Sequence, residues 1–440
     1  MAVARDHSKM RVGIYADDLT GALDAAAPFA AVGMSVYVSV FGVVPSKITD
    51  GYRVLSLNID TRRGDRFPVF DKAARASKEL RAAGFELLVN KIDSTLRGHA
   101  GLEARAGLLP DSSDPSEVDS KGTWSGPRLA LIAPSFPVMN RQVVDGIVMV
   151  NGDDLMDSEV GRDPSSLIES NSISELVSRN TGMDPVFLKL SDVRMQNVLG
   201  DRIRELLLNP PALVVCDAKT DSDLDLLAAM VVSAGGDIIL CGSAGATNAL
   251  AKLLAVSARV SKPDKKTCAG PCLVVSGSQS SVSEQQINLA AKTGALEWLA
   301  IDVHALLDES TAPDVRDRVV TRLSEILLAG NNAAVSLSQS EDNDVDVANI
   351  RTSLVRELGA ISYRVSRRVI PGSLVLIGGD TSQSVLRAIG ATGIVLHSEL
   401  LPGVPLGVLE GGLLNTVPLV TKAGAFGRED TISQVIGHMT

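Results

Sequence analysis

Aromatic side chains are scarce in this chain: they make up 3% of its 440 residues, against 45% hydrophobic residues overall. Its cores must therefore be aliphatic and alanine-rich, as in α/β proteins with buried parallel strands. Cysteine is nearly as sparse, with Cys216, Cys241, Cys268 and Cys272 as the full set, which excludes a disulfide scaffold and fits reduced thiols in a cytosol. Cys268 and Cys272 have no second Cys or His pair at zinc-site spacing. No apolar run reaches membrane-spanning length, and Met1 to Met10 is polar with mixed charge, unlike a signal peptide. A soluble, cytoplasmic protein is expected. Positive charge is in deficit too. The net charge of −10 argues against non-specific binding to nucleic acid or to an anionic membrane, so an anionic ligand must be gripped by local cations. Also missing are the Gly-x-x-x-x-Gly-Lys-Ser/Thr phosphate loop and the protein-kinase glycine-rich loop. A dinucleotide fingerprint is absent as well, since Gly21 is the only glycine in the loop after the first strand.

What the chain does have is a regular alternation of short aliphatic runs and helical patterns, which predicts an α/β protein of two domains with mostly parallel sheets. Ser257 to Gly270 interrupts the alternation with Lys, Pro and Gly. The domains are therefore placed at 1–256 and 271–440, with a linker at about 257–270.

Three strand-loop-helix units of the first half carry charge at the same edge. The strand Arg11 to Ala16 runs into Asp17-Asp18-Leu19-Thr20-Gly21 and a helix from Ala22 to Ala31. Adjacent carboxylates at a strand end repel each other and are hard to explain by packing, so one could bind a ligand hydroxyl or act as a base; capping of the helix by Asp18 or Thr20 is the structural alternative. The strand Arg53 to Ile59 ends in Asp60-Thr61-Arg62-Arg63-Gly64, whose arginine forks suit a carboxylate. The apolar run Phe85 to Val89 leads to Lys91-Ile92-Asp93-Ser94-Thr95-Leu96-Arg97-Gly98. There Lys91 and Arg97 could grip an anion, Ser94 and Thr95 could donate to oxygens, and Asp93 could take a proton or face a metal. A capped helix start with solvated cations is the alternative. Ligands of such sheets bind beyond the carboxyl ends of the strands, which favours function for the set. Asp111 to Pro127 lacks periodicity and reads as an exposed, mobile insertion. Asn140 to Val150 reads as a hairpin turning at Asp145-Gly146, and its Arg141 either reaches a ligand or is structural.

The second half repeats the grammar with different chemistry. The loops Ser276-Gly277-Ser278-Gln279-Ser280-Ser281, Gly378-Gly379-Asp380-Thr381-Ser382 and Thr421-Lys422-Ala423-Gly424-Ala425-Phe426-Gly427 each lie between a strand and a helix. Small, hydroxyl-rich loops at helix N-termini suit a polyphosphate, because glycine exposes backbone N–H groups and the helix dipole favours negative charge. Candidate nucleotide contacts are Ser276, Ser278, Gly378, Gly379, Thr381 and Gly424, with Lys422 as a phosphate counter-charge and Asp380 as a Mg²⁺ or ribose contact. Tight turns capping ordinary helices are the alternative. Ser283 and Gln286 have the spacing of a capping box.

In order along the chain, Ala16-Asp17-Asp18-Leu19-Thr20-Gly21-Ala22, Lys91 to Gly98, Ser276-Gly277-Ser278, Gly378-Gly379-Asp380-Thr381 and Lys422-Ala423-Gly424-Ala425-Phe426-Gly427 resemble the signature of the four-carbon acid sugar kinase family. The resemblance covers about Val12 to Gly437. It implies an N-terminal domain that binds a sugar acid, a C-terminal domain that binds ATP with Mg²⁺, and an active site in the cleft between them. It also implies phosphoryl transfer to a terminal hydroxyl of a threonate, erythronate or 3-oxo-tetronate. Under that reading Arg62, Lys91 and Ser94 hold the acid, with Asp17, Asp93, Thr95 and Arg97 as further substrate contacts. The base lies among Asp17, Asp18 and Asp93, while the metal ligands are left unassigned and homo-oligomerisation is left open. One departure bears on substrate choice: Leu23 precedes Asp24, where members usually carry Asn. The competing readings are a two-lobed sensor of a sugar acid or nucleotide, and a dehydrogenase, which the missing dinucleotide fingerprint disfavours.

Overall fold

The chain was analysed as a computed structural model that describes residues 9–45, 51–63, 65–109, 126–162, 168–255, 270–338, 347–401 and 403–439. The insertion expected at Asp111 to Pro127 lies outside these residues except for its last two positions, as does the linker at 257–270 except for Gly270. Two compact units emerge, Met1–Val260 and Ser261–Thr440, each an α/β unit with a mostly parallel sheet.

In the first unit the strands are β1 (Val12–Ala16), β2 (Val36–Ser39), β3 (Val54–Asn58), β4 (Leu87–Lys91), β5 (Leu129–Ala133), β6 (Arg141–Val144), β7 (Ile147–Val150), β8 (Asp153–Asp154), β9 (Val186–Leu188), β10 (Ala212–Cys216) and β11 (Ile238–Gly242). The main sheet runs β2-β3-β1-β4-β11-β5-β10-β9, with every pair parallel. Strands β1, β3, β4, β5, β10 and β11 are buried along their whole length, which explains why they read as unbroken aliphatic runs. The chain places β3 on one side of β1 and β4 on the other, so the strand order reverses at β1. Ala16 is in register with both Asn58 and Lys91. The loops after β1, β3 and β4 therefore leave the sheet side by side, at the kind of switch point where ligands bind.

Helix α1 (Leu19–Ala31) starts three residues before the expected Ala22, because Asp18 caps it by accepting from the Gly21 N–H. Helix α2 (Arg66–Ala82) crosses back to β4. Helix α3 (Leu102–Gly107) follows the β4 loop after Gly101, whose φ of 82° suits glycine. The hairpin β6-β7 turns at Asp145-Gly146 as expected, and β8 adds a third antiparallel strand. The helical pattern over Val193 to Leu208 predicts one helix, but the structure has two, Leu190–Arg194 and Gln196–Leu208, broken at Met195. Periodicity continues through the break, but a tertiary ion pair intervenes: Arg194 donates to both oxygens of Asp223 at 2.8 and 3.1 Å.

The second unit contains β12 (Cys272–Ser276), β13 (Glu297–Ile301), β14 (Ala333–Leu337), β15 (Ser373–Ile377), β16 (Gly393–Leu401), β17 (Val404–Glu410) and β18 (Pro418–Lys422). Its strands run β13-β14-β12-β15-β18-β17-β16, parallel as far as β18 and antiparallel thereafter. Ile377 is in register with both Ser276 and Lys422. The three small-residue loops thus also emerge next to one another.

Candidate active site

The β1, β3 and β4 loops interlock through their charges. Arg62 donates through Nε to Asp17 Oδ2 at 2.7 Å and through Nη2 to Asp17 Oδ1 at 2.9 Å, a two-pronged grip on one carboxylate. Its remaining Nη1 donates to Asp18 Oδ2, and Nη2 stands 4.0 Å from Asp93 Oδ1. The Thr61 and Arg62 N–H groups also donate to the Asp17 carbonyl, at 2.9 and 3.1 Å. Arg97 grips Asp93 in the same two-pronged way, both bonds at 2.9 Å, and the Thr95 hydroxyl and N–H donate to Asp93 Oδ2. That return of the chain onto Asp93 passes through Leu96, a buried residue with φ of 62°, the kind of backbone cost kept where geometry matters.

These positions were read as free to meet a ligand, but the fold commits most of them to one another. Arg62 and Arg97 spend their forks on Asp17, Asp18 and Asp93, because buried carboxylates in such density require cations. Lys91 is buried and donates to the Ile92 carbonyl at 3.1 Å. Gly21 lets α1 start against this cluster, since a Cβ there would lie 2.8 Å from Asp18 Oδ1, 3.3 Å from Lys91 Nζ and 3.4 Å from Asp17 Oδ1. Arg141 reaches the cluster from β6, donating through Nη1 to Ser94 Oγ at 2.6 Å.

Asp17 and Asp93 differ in proton affinity. Burial raises Asp17, with Arg62 pulling down and Asp18 pushing up. Burial also works against the Asp93 charge, but Arg97, Arg62 and Thr95 overcome it and hold its carboxyl well below the usual range. Asp18 has one oxygen on the α1 cap and the other on Arg62. Glu103 on α3 was not foreseen: it is 2% exposed, accepts from Thr61 Oγ1 and from Asn90 Nδ2 at 3.1 Å, and is pushed up to about 7 by burial and then by Asp17. It lines a small recess with Asp17, Asp93, Arg97, His99 and Ala100. No local pattern marks it, because the Thr61 hydroxyl that fixes it is 42 residues away in sequence.

In the second unit, Ser276, Ser278, Gly378, Gly379, Asp380, Thr381, Lys422 and Gly424 lie on the adjacent β12, β15 and β18 loops. The Gly277 N–H donates to Thr381 Oγ1 at 3.1 Å, joining the first two loops. Gly378 has φ of 98°, and a Cβ on Gly424 would fall 2.1 Å from Ser278 Oγ, so side chains are excluded where the loops meet. The expected capping box at Ser283 and Gln286 is not formed. Both residues lie inside the helix Ser281–Lys292 and reach across the unit instead. Ser283 Oγ donates to the Gly424 carbonyl at 2.5 Å, and Gln286 Nε2 donates to the Phe426 and Arg428 carbonyls at 3.1 and 2.8 Å. Lys422 Nζ donates to the carbonyls of Ala423, Gly424 and Phe426 at 2.9, 3.0 and 2.7 Å, and burial lowers its ammonium to about 8. The carbonyls of 423–428 are thereby drawn to one side. Among the described residues, the Gly424 and Ala425 N–H groups keep no protein partner, a donor set suited to phosphate oxygens. Asp380 is 44% exposed and 3.6 Å from Arg351. Among the described residues there is no group of three or more His, Cys, Asp or Glu side chains that could hold a metal.

Comparison with known proteins matches residues 12–250 to a sugar-binding N-terminal domain family and residues 273–432 to a nucleotide-binding C-terminal domain family. The chain is 30% identical to a D-threonate kinase of Bordetella bronchiseptica, over 96% of this chain and 95% of that one. It is 28% identical to a D-threonate kinase of Salmonella typhimurium, over 98% of both, and 25% identical to a D-erythronate kinase of Heliobacterium modesticaldum, over 97% of both. A solved structure from Salmonella typhimurium shares the fold, with a TM-score of 0.76 at 20% identity, covering 97% of this chain and 98% of that one.

Proposed function

The chain belongs to the four-carbon acid sugar kinase family, and on that premise we propose that it transfers the γ-phosphoryl group of ATP to a terminal hydroxyl of a threonate, erythronate or 3-oxo-tetronate. Kinase activity on a sugar acid is what its relatives' names hold in common.

The observation that carries it is the interlocked set Asp17, Asp18, Arg62, Asp93 and Arg97 on three adjacent strand-end loops. Phosphoryl transfer demands little covalent help from a protein and much positioning and charge balance. The substrate hydroxyl oxygen attacks the γ-phosphorus, the bond from that phosphorus to the β–γ bridging oxygen breaks, and ADP leaves. The hydroxyl proton goes to Asp17. Asp93 is saturated by Arg97 and Thr95 and held well below the usual carboxylate range, which makes it a poor acceptor. Asp18 spends an oxygen on the α1 cap. Asp17 is buried, raised in proton affinity, and keeps lone pairs beyond the two that Arg62 occupies. Lys91, Ser94 and the lattice around Asp93 hold the acid. The unpaired Gly424 and Ala425 N–H groups and the N-terminus of the helix Gly379–Ala388 hold phosphates. Asp380 would serve as one of the one or two carboxylates that a nucleotide-borne Mg²⁺ takes from a protein. That ion would neutralise phosphate charge.

The test is ADP release from MgATP against a panel of four-carbon sugar acids. Acid-dependent release is expected, and Asp17→Asn should lower kcat on the order of 10²-fold or more. Nucleotide binding without acid-dependent ADP would overturn the kinase reading in favour of a sensor. Full turnover by Asp17→Asn would remove it as the base.

A further inference from the structure

Four cations converge on the ends of β1, β3 and β4, and of their three guanidinium groups two are committed to carboxylates. Arg62 is spent on Asp17 and Asp18, and Arg97 on Asp93. Lys91 donates to a carbonyl beside its own loop. Arg141 is the exception. Among the described residues no carboxylate pairs with it, and its one hydrogen bond goes to a neutral hydroxyl, Ser94 Oγ at 2.6 Å. The backbone that carries it is firmly fixed, since Arg141 N–H donates to the Phe136 carbonyl at 3.1 Å, Phe136 N–H returns a bond to the Arg141 carbonyl at 2.8 Å, and Arg141 is paired with Val150 in the β6-β7 hairpin. Resting on the proposed function, we infer that Arg141 binds the carboxylate of the sugar acid and selects acids over uncharged sugars.

Two observations support this. A guanidinium presents five donors in a planar fork matched to a carboxylate, and Arg141 uses one of them. The other donors lie beside Ser94, in the loop assigned to the acid. The local charge balance points the same way. Arg62, Lys91, Arg97 and Arg141 face Asp17, Asp18 and Asp93, while Glu103, pushed up to about 7, is largely uncharged only below that pH. One positive charge is left over in a protein whose net charge is −10, and a four-carbon acid brings one negative charge. Burial lowers the proton affinity of Arg141, with Asp93 opposing and Arg97 adding to the effect, as befits a cation that lacks its own counter-ion.

The experiment uses the full chain and its Arg141→Gln and Arg141→Lys variants, measuring acid KM, MgATP KM and the rise in thermal midpoint on adding a four-carbon acid without nucleotide. Arg141→Gln should raise acid KM on the order of 10²-fold while MgATP KM stays within about threefold. It should also abolish the acid-induced rise without lowering the midpoint of the unliganded protein, because no internal ion pair is lost. Arg141→Lys should recover part of the acid KM, which a merely structural hairpin residue would not predict. Unchanged acid KM and unchanged acid-induced stabilisation in Arg141→Gln would overturn the inference and leave the kinase reading standing. Absence of acid-dependent ADP release from the wild type, with acid-induced stabilisation that Arg141→Gln removes, would overturn the kinase reading and leave Arg141 standing. An acid that neither stabilises the wild type nor is turned over would overturn both.

Discussion

Buried beneath the β1 and β4 loops, Glu103 holds its proton to about pH 7, whereas in the unfolded chain it ionises near the ordinary glutamate value of 4.5. Between these values the folded state binds a proton that the unfolded state has released, so stability falls as pH rises from about 4.5 to about 7, by on the order of 3 kcal/mol. Glu103→Gln should remove that slope, seen as a flatter plot of thermal midpoint against pH across the same window. The change should fold, because Asn90 Oδ1 is buried without a partner, and a turned Asn90 amide can accept from the new side-chain N–H. A variant with the same slope as the wild type would place the titration elsewhere. Individual roles of this sort were the least legible part of the sequence. Asp17, Asp18, Arg62, Asp93 and Arg97 were visible as candidates because charge at a strand end is conspicuous. That Arg62 would be spent on Asp17 and Asp18 was not visible, since the partners stand 45 and 44 residues apart and a charge in sequence does not show its counter-charge.

At the level of elements, the helix Ser281–Lys292 holds a loop that it does not contain. Gln286, fully buried, fixes two carbonyls of the loop after β18. Gln286→Leu would remove that donor from both, while the Phe426 carbonyl keeps Lys422 Nζ and the Arg428 carbonyl keeps the Thr431 N–H, so each lost bond costs about 0.5–1.5 kcal/mol and the Gly424 and Ala425 N–H groups are freer to turn away from phosphate. Nucleotide KM should rise on the order of 10-fold with acid KM unchanged; equal effects on both would instead indicate general loosening. Most elements were readable from period and turn chemistry alone. The Asp145-Gly146 hairpin agrees with the sequence reading, because its signal is local. Ser283 and Gln286 mimicked a local signal, a capping box, while serving contacts 141 and 140 residues away. The break at Met195 was hidden for the same reason, with Arg194 bound to Asp223 29 residues on.

For the whole molecule, the net charge of −10 and the partly buried setting of the cluster cations set the response to salt. An anionic acid approaches a protein of like sign, so no long-range attraction exists for salt to screen. Contacts in the cluster itself are shielded from ions. The value of kcat/KM for the acid should therefore stay within about threefold between 20 and 200 mM salt at fixed free Mg²⁺, or rise slightly. A steep fall, on the order of 10-fold, would mean that exposed surface cations recruit the substrate. The consequence of the Gln286 and Ser283 bonds extends to how the chain can change over generations. A residue inserted or deleted between Lys422 and Arg428 would carry the Gly424, Phe426 and Arg428 carbonyls off the donors that hold them. Two stretches about 140 residues apart are therefore a single heritable unit. A descendant that altered the loop's length would have to rewrite the face of a distant helix, while Leu419 and Val420 of β18 between them could drift among aliphatic residues.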